Sequence, residues 1–312
     1  MVNYRCTAAC RHCLYACSPT RDTGYVTGEK MQEICGLLRS GGCDGVHIGG
    51  GEPFLDFDGL LTAIRALKKN GINLDYIETN AYFVHDEASA KEKLTALLDE
   101  GADTLCISLD PFHAEYVPYG YPLRLAELCR QRGMGFFLWK QQFFTVLSGL
   151  PPEKAHSRAV LEKHISADYI NSTANAYGLH FGGRAVNIKD AYGGRKPAAA
   201  LVDAHPCRNL LSTNHFHVDR EGYFIPPGCT GIRLPLEEAI RGIPEGKYPA
   251  FEALYHRGLA GLLDLAKQNG FAPDESYSSK CSLCFHARHH LAALDFAGLD
   301  RLHYEESLKY YD

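Results

Sequence analysis

Three cysteines, Cys6, Cys10 and Cys13, stand four and three residues apart near the start of the chain. A compact loop with those spacings can turn three thiolates toward one centre, and thiolates are the usual ligands of iron–sulfur clusters. A four-iron cubane held by three local cysteines keeps one iron open for a small molecule. A structural zinc site instead closes with four protein ligands. On spacing alone, a zinc site completed by Cys17 or His12 stays open as the alternative. Farther along, an apolar run ends in His47-Ile48-Gly49-Gly50-Gly51-Glu52-Pro53. Its glycines let the backbone approach a ligand closely, and Glu52 offers a carboxylate to an amino group. By itself that run is also an ordinary strand-to-helix turn.

A second thiol group lies in the last third of the chain: His205-Pro206-Cys207, then Gly222, then Pro226-Pro227-Gly228-Cys229, then Cys281-Ser282-Leu283-Cys284. The chain has 12 cysteines and shows no charged-then-apolar leader before Cys6, so the expectation is a cytoplasmic protein with reduced thiols. Clustered thiols in a reducing compartment read as metal ligands. Four thiolates suit one [4Fe–4S] cluster or one tetrahedral zinc. The nearby His286, His289 and His290 read as surface or packing residues. Cys35 and Cys129 in helical patterns, and Cys106 in an apolar strand, read as small buried hydrophobes.

These residues need a scaffold. Short apolar runs at 45–48, 74–78, 104–109 and 135–139 read as strands. Amphipathic stretches at about 29–39, 59–69, 88–100 and 123–132 read as helices, with Thr27 as a cap and Gly41, Gly71, Gly101 and Gly133 as stops. Strand and helix alternate, so the pattern predicts βα units on a parallel sheet, with the chemistry at the carboxyl ends of the strands. A curved partial barrel and a flat doubly wound sheet both satisfy it. Beyond Trp139 the pattern predicts a helix over 151–163, a strand near Tyr169-Ile170, a connection over 182–206 and a hairpin over 216–225. A domain boundary near 195 divides residues 1–194 from 195–312.

Composition narrows the function classes. The 312 residues are 46% hydrophobic and 22% charged, with a net charge of −5 and no clustered basic face, which argues against a nucleic-acid partner. No apolar run reaches the roughly 18 residues that span a bilayer, so no membrane association is expected.

In their order and at strand ends, the CxxxCxxC motif and the Gly-Gly-Glu-Pro run resemble the radical S-adenosylmethionine (SAM) superfamily over about the first 190 residues. The resemblance implies an α/β fold of partial (β/α)6, TIM-like type. It implies Cys6, Cys10 and Cys13 as ligands of a [4Fe–4S] cluster whose open iron chelates SAM. The His12 backbone is then expected near the adenine, and Gly50, Gly51, Glu52 and Pro53 at the methionine amino group. Thr79 and Asn80, ending one strand, and Ser108 and Asp110, ending the next, match polar positions near SAM. Arg184 is a further candidate for the SAM site, although an exposed loop arginine is the reading its sequence context favours. Three features depart from the family: a very short first strand before Cys6, His12 where an aromatic residue often stands, and no Gly-rich fifth-strand pattern in 135–180.

The late cysteines, over roughly residues 205–290, resemble the auxiliary-cluster module that follows many radical SAM domains, called SPASM or twitch. His290 stands where the long form continues with cysteine, so the resemblance implies one auxiliary [4Fe–4S] cluster on Cys207, Cys229, Cys281 and Cys284. The implied activity is reductive cleavage of SAM to a 5′-deoxyadenosyl radical and hydrogen abstraction from a substrate. Enzymes with this module often modify peptides or proteins, so a peptide is the expected substrate and a small molecule the alternative. An electron donor such as flavodoxin or ferredoxin is the implied partner. The competing class is a zinc-binding interaction protein without catalysis.

Overall fold

The alternating first half forms a sheet of four parallel strands in the order β1-β2-β3-β4: β1 (Gly45–Ile48), β2 (Asn73–Thr79), β3 (Thr104–Ser108) and β4 (Gly135–Trp139). This computed structural model describes residues 1–179, 182–192 and 194–309. Helices cross between the strands: α1 (Gly28–Ser40) leads into β1, α2 (Phe57–Lys69) joins β1 to β2, α3 (Glu87–Glu100) joins β2 to β3, and α4 (Pro111–Ala114) and α5 (Gly120–Arg132) join β3 to β4. The local chemistry explains the boundaries. Thr27, Asp56 and Asp86 cap α1, α2 and α3 by accepting from backbone N–H groups. Gly101 and Gly133 end α3 and α5 in the left-handed conformation. Ile77, Leu105 and Ile107 of the sheet are buried, as are Leu60, Leu67, Leu94 and Leu97 of the helices. The fold is α/β with parallel strands and helical crossovers, the winding of a partial barrel.

The chain divides into two compact units. The first comprises Met1–Cys10, Cys17–Thr173 and Asp219–Gly222; the second comprises Arg11–Ala16, Ala174–Val218 and the chain from Tyr223 onward. In the first unit, the segment before Cys6 pairs with the end of β1 and the turn after it. Val2 N donates to Gly49 O at 2.9 Å, Gly51 N to Asn3 O at 3.0 Å and Glu52 N to Arg5 O at 2.9 Å. Gly50 has φ +152°. A Cβ on Gly51 would lie 1.9 Å from the Arg5 carbonyl oxygen. The glycine run therefore serves the approach of two backbones, which no side chain could permit.

After β4 come α6 (Phe143–Leu147), α7 (Arg158–His164) and α8 (Tyr169–Tyr177). The helix expected from 151 starts only at Arg158, because Pro151 and Pro152 sit in a loop where the Pro151 carbonyl contacts His156 Nε2 at 2.9 Å. The strand expected at Tyr169-Ile170 is helical. Tyr169, Ile170, Thr173 and Ala174 are buried at helical spacing, a period that a two-residue apolar run does not reveal.

In the second unit, the expected connection contains α9 (Ala185–Tyr192), β5 (Lys196–Pro197) and α10 (Ala198–Leu201). The expected hairpin forms as β6 (His217–Val218) against β7 (Tyr223–Ile225), with β8 (Leu234–Pro235) antiparallel on the far side. Then come α11 (Leu236–Arg241), α12 (Pro249–Gln268), β9 (Ser276–Tyr277), which pairs with β5, α13 (Lys280–Ala293) and α14 (Arg301–Leu308). Phe251, Leu254, Leu262, Leu263, Leu283 and Leu291 form the core between α12 and α13. Gly258 breaks α12 at φ +62°, and a Cβ there would stand 2.1 Å from the His205 carbonyl oxygen. Among the described residues, no helix is long and apolar enough to cross a membrane.

Gly51→Ala should cost about 2–3 kcal/mol or more in denaturant unfolding, since backbone must move to admit the methyl. Gly36→Ala, where an added Cβ meets nothing within 4 Å in exposed α1, should instead stabilise by about 0.5–1 kcal/mol. Equal effects at the two positions would refute the close-approach account.

Candidate functional site

The first unit gathers several of the candidate residues around one buried carboxylate. Glu52 follows the glycine run and is 1% exposed. Its Oε1 accepts from Thr79 Oγ1 at 2.9 Å and Phe54 N at 3.2 Å, and its Oε2 accepts from Asn80 N at 2.8 Å. Burial pushes the carboxyl up to about 7, while the Asn80, Phe54 and Thr79 donors pull against that rise. A carboxylate oxygen can take two donors, so Oε2 has capacity for an ammonium hydrogen bond beside that of Asn80.

Asn80 joins this carboxylate to the first cysteine. Its side-chain Nδ2 lies 2.9 Å from Thr7 Oγ1 and 3.5 Å from Cys6 Sγ, and its Oδ1 accepts from Tyr82 N at 2.9 Å. A single strand end thus supplies two hydrogen bonds to Glu52, through the Thr79 hydroxyl and the Asn80 N–H, and one donor to a thiol. Pro53 opens a short 3-10 turn, Pro53–Leu55, for which Glu52 is the cap. Ser108, at the end of β3, is half-buried.

Asp110 is fully buried and caps α4. Its Oδ1 accepts from His113 N at 3.0 Å and its Oδ2 faces His113 Nδ1 at 2.7 Å. Burial alone would lower the His113 pKa, but Asp110 and the Cys10 thiol raise it well above its ordinary value. His113 hydrogen-bonds the Cys10 side chain, so Asp110 reaches Cys10 through His113. The segment 111–116 offered two equal readings by sequence, substrate contact or packed loop. Phe112 and Ala114 are packed, whereas His113 faces a candidate ligand. Its only sequence signal is the Asp-x-x-His spacing that lets a helix cap reach its own third residue.

In the second unit, the Cys13 carbonyl accepts from Arg184 N at 3.0 Å and from Ala16 N at 3.4 Å. The His12 ring packs against Tyr177 with centroids 4.8 Å apart. A Cβ on Gly183 would lie 2.1 Å from the Leu14 carbonyl oxygen, so the glycine admits the cysteine loop's backbone. Arg184 overturns the expectation of an exposed loop residue: it is 2% exposed, because it leads into α9 directly behind that close approach.

The late thiols also belong to the second unit. Cys207, Cys229 and Cys284 pack on the α12–α13 core, and Cys281 is exposed. Cys207 N donates to Leu254 O at 3.0 Å, beside the Gly258 break that admits the 203–207 segment. Their charges act on one another: Cys284 and Cys281 on Cys207, and all three others on Cys229. Burial pushes the Cys229 thiol up to about 12 and raises Cys207 and Cys281 as well. Among the described residues, no three of these four sulfurs gather within 4.8 Å of one another. Tetrahedral zinc, with Zn–S bonds of about 2.3 Å, needs tighter grouping than a cubane whose thiolates bind separate corners. Arg288, which sequence inspection passed over, is buried beside Cys284; the signal was its i+4 spacing on α13.

The sequence profile of the radical SAM superfamily matches residues 2–137. Among solved structures, the chain is similar to Streptococcus suis SuiB, at 15% identity over 83% of this chain and 69% of that one, with a TM-score of 0.44. Streptococcus suis SuiB bound to S-adenosylmethionine aligns at 15% identity over 79% of this chain and 68% of that one, with a TM-score of 0.36. A search of curated proteins finds no match.

Glu52 makes a pH signature. Its carboxyl is raised in the folded protein, to about 7 from 4.5. The native state therefore holds a proton that the unfolded chain releases, and this stabilisation is full below about pH 4.5 and lost as pH rises through about 7. The difference in unfolding free energy between wild type and Glu52→Gln should change by about 2–3 kcal/mol between pH 4.5 and pH 8. A constant difference across that range would show that Glu52 titrates normally.

Proposed function

We propose that the chain is a radical SAM enzyme, as the match of residues 2–137 to that superfamily's profile supports, and that it cleaves SAM reductively and abstracts hydrogen from a peptide or protein substrate. The observation that carries this is the network from Glu52 through Thr79 and Asn80 to Cys6. It joins a buried carboxylate of the kind that binds an ammonium to a thiol of the cluster motif. The residues fit the group: a buried carboxylate with acceptor capacity and a thiol that receives an N–H donor.

In this proposal, Cys6, Cys10 and Cys13 hold the [4Fe–4S] cluster, and SAM bound there supplies a 5′-deoxyadenosyl radical on one-electron reduction. Glu52 orients the methionine ammonium, and Thr79 and Asn80 hold Glu52 in place. The Asn80 N–H to Cys6 favours the thiolate over the thiol. His113, fixed by Asp110, gives Cys10 a donor of its own. His12, Gly50, Gly51, Pro53, Ser108 and Arg184 complete the proposed SAM surroundings.

The proposed division of labour assigns SAM chemistry to residues 1–194 and an auxiliary [4Fe–4S] cluster to residues 195–312, on Cys207, Cys229, Cys281 and Cys284. The resemblance of that segment to SPASM and twitch modules supports the cluster and, with it, a peptide substrate. A flavodoxin- or ferredoxin-type protein is the proposed electron donor, in the cytoplasm.

Anaerobically reconstituted protein should hold about eight irons, and the variant Cys6→Ala/Cys10→Ala/Cys13→Ala about four, with no 5′-deoxyadenosine produced. Undiminished 5′-deoxyadenosine from that variant would sink the cluster assignment. One zinc and no iron in it would make the late site a structural zinc site. Glu52→Gln should weaken SAM binding by roughly 10- to 100-fold with iron content unchanged, the loss of one charge-assisted hydrogen bond. Deuterium should pass from a deuterated peptide substrate into 5′-deoxyadenosine. Transfer from small metabolites alone would replace the peptide reading with the small-molecule one.

A further inference from the structure

Arg288 lies one turn after Cys284 on α13, so the two side chains share a helix face. The arginine is 4% exposed. Its Nη1 donates to the Thr230 carbonyl at 2.8 Å and to the Tyr304 hydroxyl at 2.9 Å. Thr230 directly follows Cys229, so one guanidinium ties the Cys284 helix to the Cys229 turn. Tyr304 is fully buried, packed on Phe285 with ring centroids 5.1 Å apart. Gly231, at φ +85°, admits that ring: a Cβ there would stand 2.5 Å from it. The guanidinium is thus held by neighbours that are themselves fixed.

A guanidinium keeps its proton in proteins, and burying one without an anion is costly. The groups whose charge acts on Arg288 are Tyr304, Cys284 and Cys229, and Cys284 also accepts a hydrogen bond from it. Nε is buried with no hydrogen-bond partner. A buried cation one helical turn from Cys284 and bonded to the carbonyl next to Cys229 is placed to balance the negative charge of a cluster held by those two residues. The other nearby cation, Lys280, is paired with Asp203 at 2.6 Å, with both side chains about a third exposed (34% and 38%), where water screens its charge.

We propose that Arg288 is the fixed counter-cation of the late-cysteine site: a positioning residue that holds the Cys284 and Cys229 thiolates together and raises the reduction potential of the cluster they bind. This rests on the reading of Cys207, Cys229, Cys281 and Cys284 as [4Fe–4S] ligands. Four thiolates on such a cluster leave net negative charge, and an added electron increases it. A desolvated cation at fixed distance favours the reduced form most.

The test uses full-length protein carrying Cys6→Ala/Cys10→Ala/Cys13→Ala, so that a single cluster reports. Iron content tests the underlying reading, and zinc in place of iron overturns both that reading and this inference. With iron present, the midpoint potential tests the inference alone. Arg288→Gln should make reduction at least about tenfold less favourable, ~59 mV lower for one electron. Arg288→Lys, which keeps the charge, and Lys280→Met, at the screened cation, should each shift it less. An unchanged potential in Arg288→Gln overturns the inference while the cluster reading stands. Should Arg288→Gln not fold, protein labelled with 15N in its arginine guanidinium groups gives a second readout. Pulsed electron paramagnetic resonance of the reduced cluster should detect 15N coupling that Arg288→Lys removes. Absence of that coupling in the labelled parent overturns the inference equally.

Discussion

The backbone of Val2–Arg5 lies against Gly49–Glu52, and the amino-terminal site depends on that contact. Three backbone hydrogen bonds and the Asn3 side chain, which donates to Glu52 O at 3.0 Å and accepts from Gly51 N at 3.0 Å, lock the two segments in register. Register decides where Cys6 leaves the strand and where Glu52 enters the core, because one residue of slip would reverse both. Glycine at 51 is the condition for it, since the Arg5 carbonyl occupies the space a side chain would need.

Two buried ionisable groups then define the chemistry, with opposite needs. Glu52 is surrounded by donors and still holds its proton too tightly, so it gains from a cation. Arg288 is surrounded by a carbonyl, a phenol and thiols, so it gains from anions. Glu52 answers burial by holding its proton and by accepting neutral hydrogen bonds, with His113 as its charged neighbour, whereas Arg288 keeps its charge among neutral hydrogen-bond partners and thiols. Buried charge without its counter-charge is destabilising. Such a residue is therefore a physical argument for a ligand, one independent of any resemblance.

The parallel sheet and its crossovers are legible because the helices carry boundary signals of their own: Thr27 at one start, Gly101 and Gly133 at two ends. Those signals act within a few residues and need no tertiary information. Past Trp139 the local signals thin out. Tyr169-Ile170 is too short to show a period, and Pro151-Pro152 delays a helix that composition alone allows. The first-site candidates Glu52, Thr79 and Asn80 were legible at strand ends. Arg184 was misplaced because burial depends on what packs over a loop, here the turn after Cys13, a contact across about 170 residues of chain.

His113 and Arg288 were invisible for a different reason. Each acts on a cysteine through a short helical spacing, from Asp110 in one case and from Cys284 in the other, and such spacings are common by chance. What separates them is the counter-charge: His113 lies 2.7 Å from the Asp110 carboxylate, whereas the groups acting on Arg288 are a phenol and thiols. Asn80 gives Cys6 a neutral N–H, which stabilises a thiolate modestly. Arg288 gives Cys284 a cation in a desolvated site, where the same geometry is worth more and does not weaken with salt as a surface pair would.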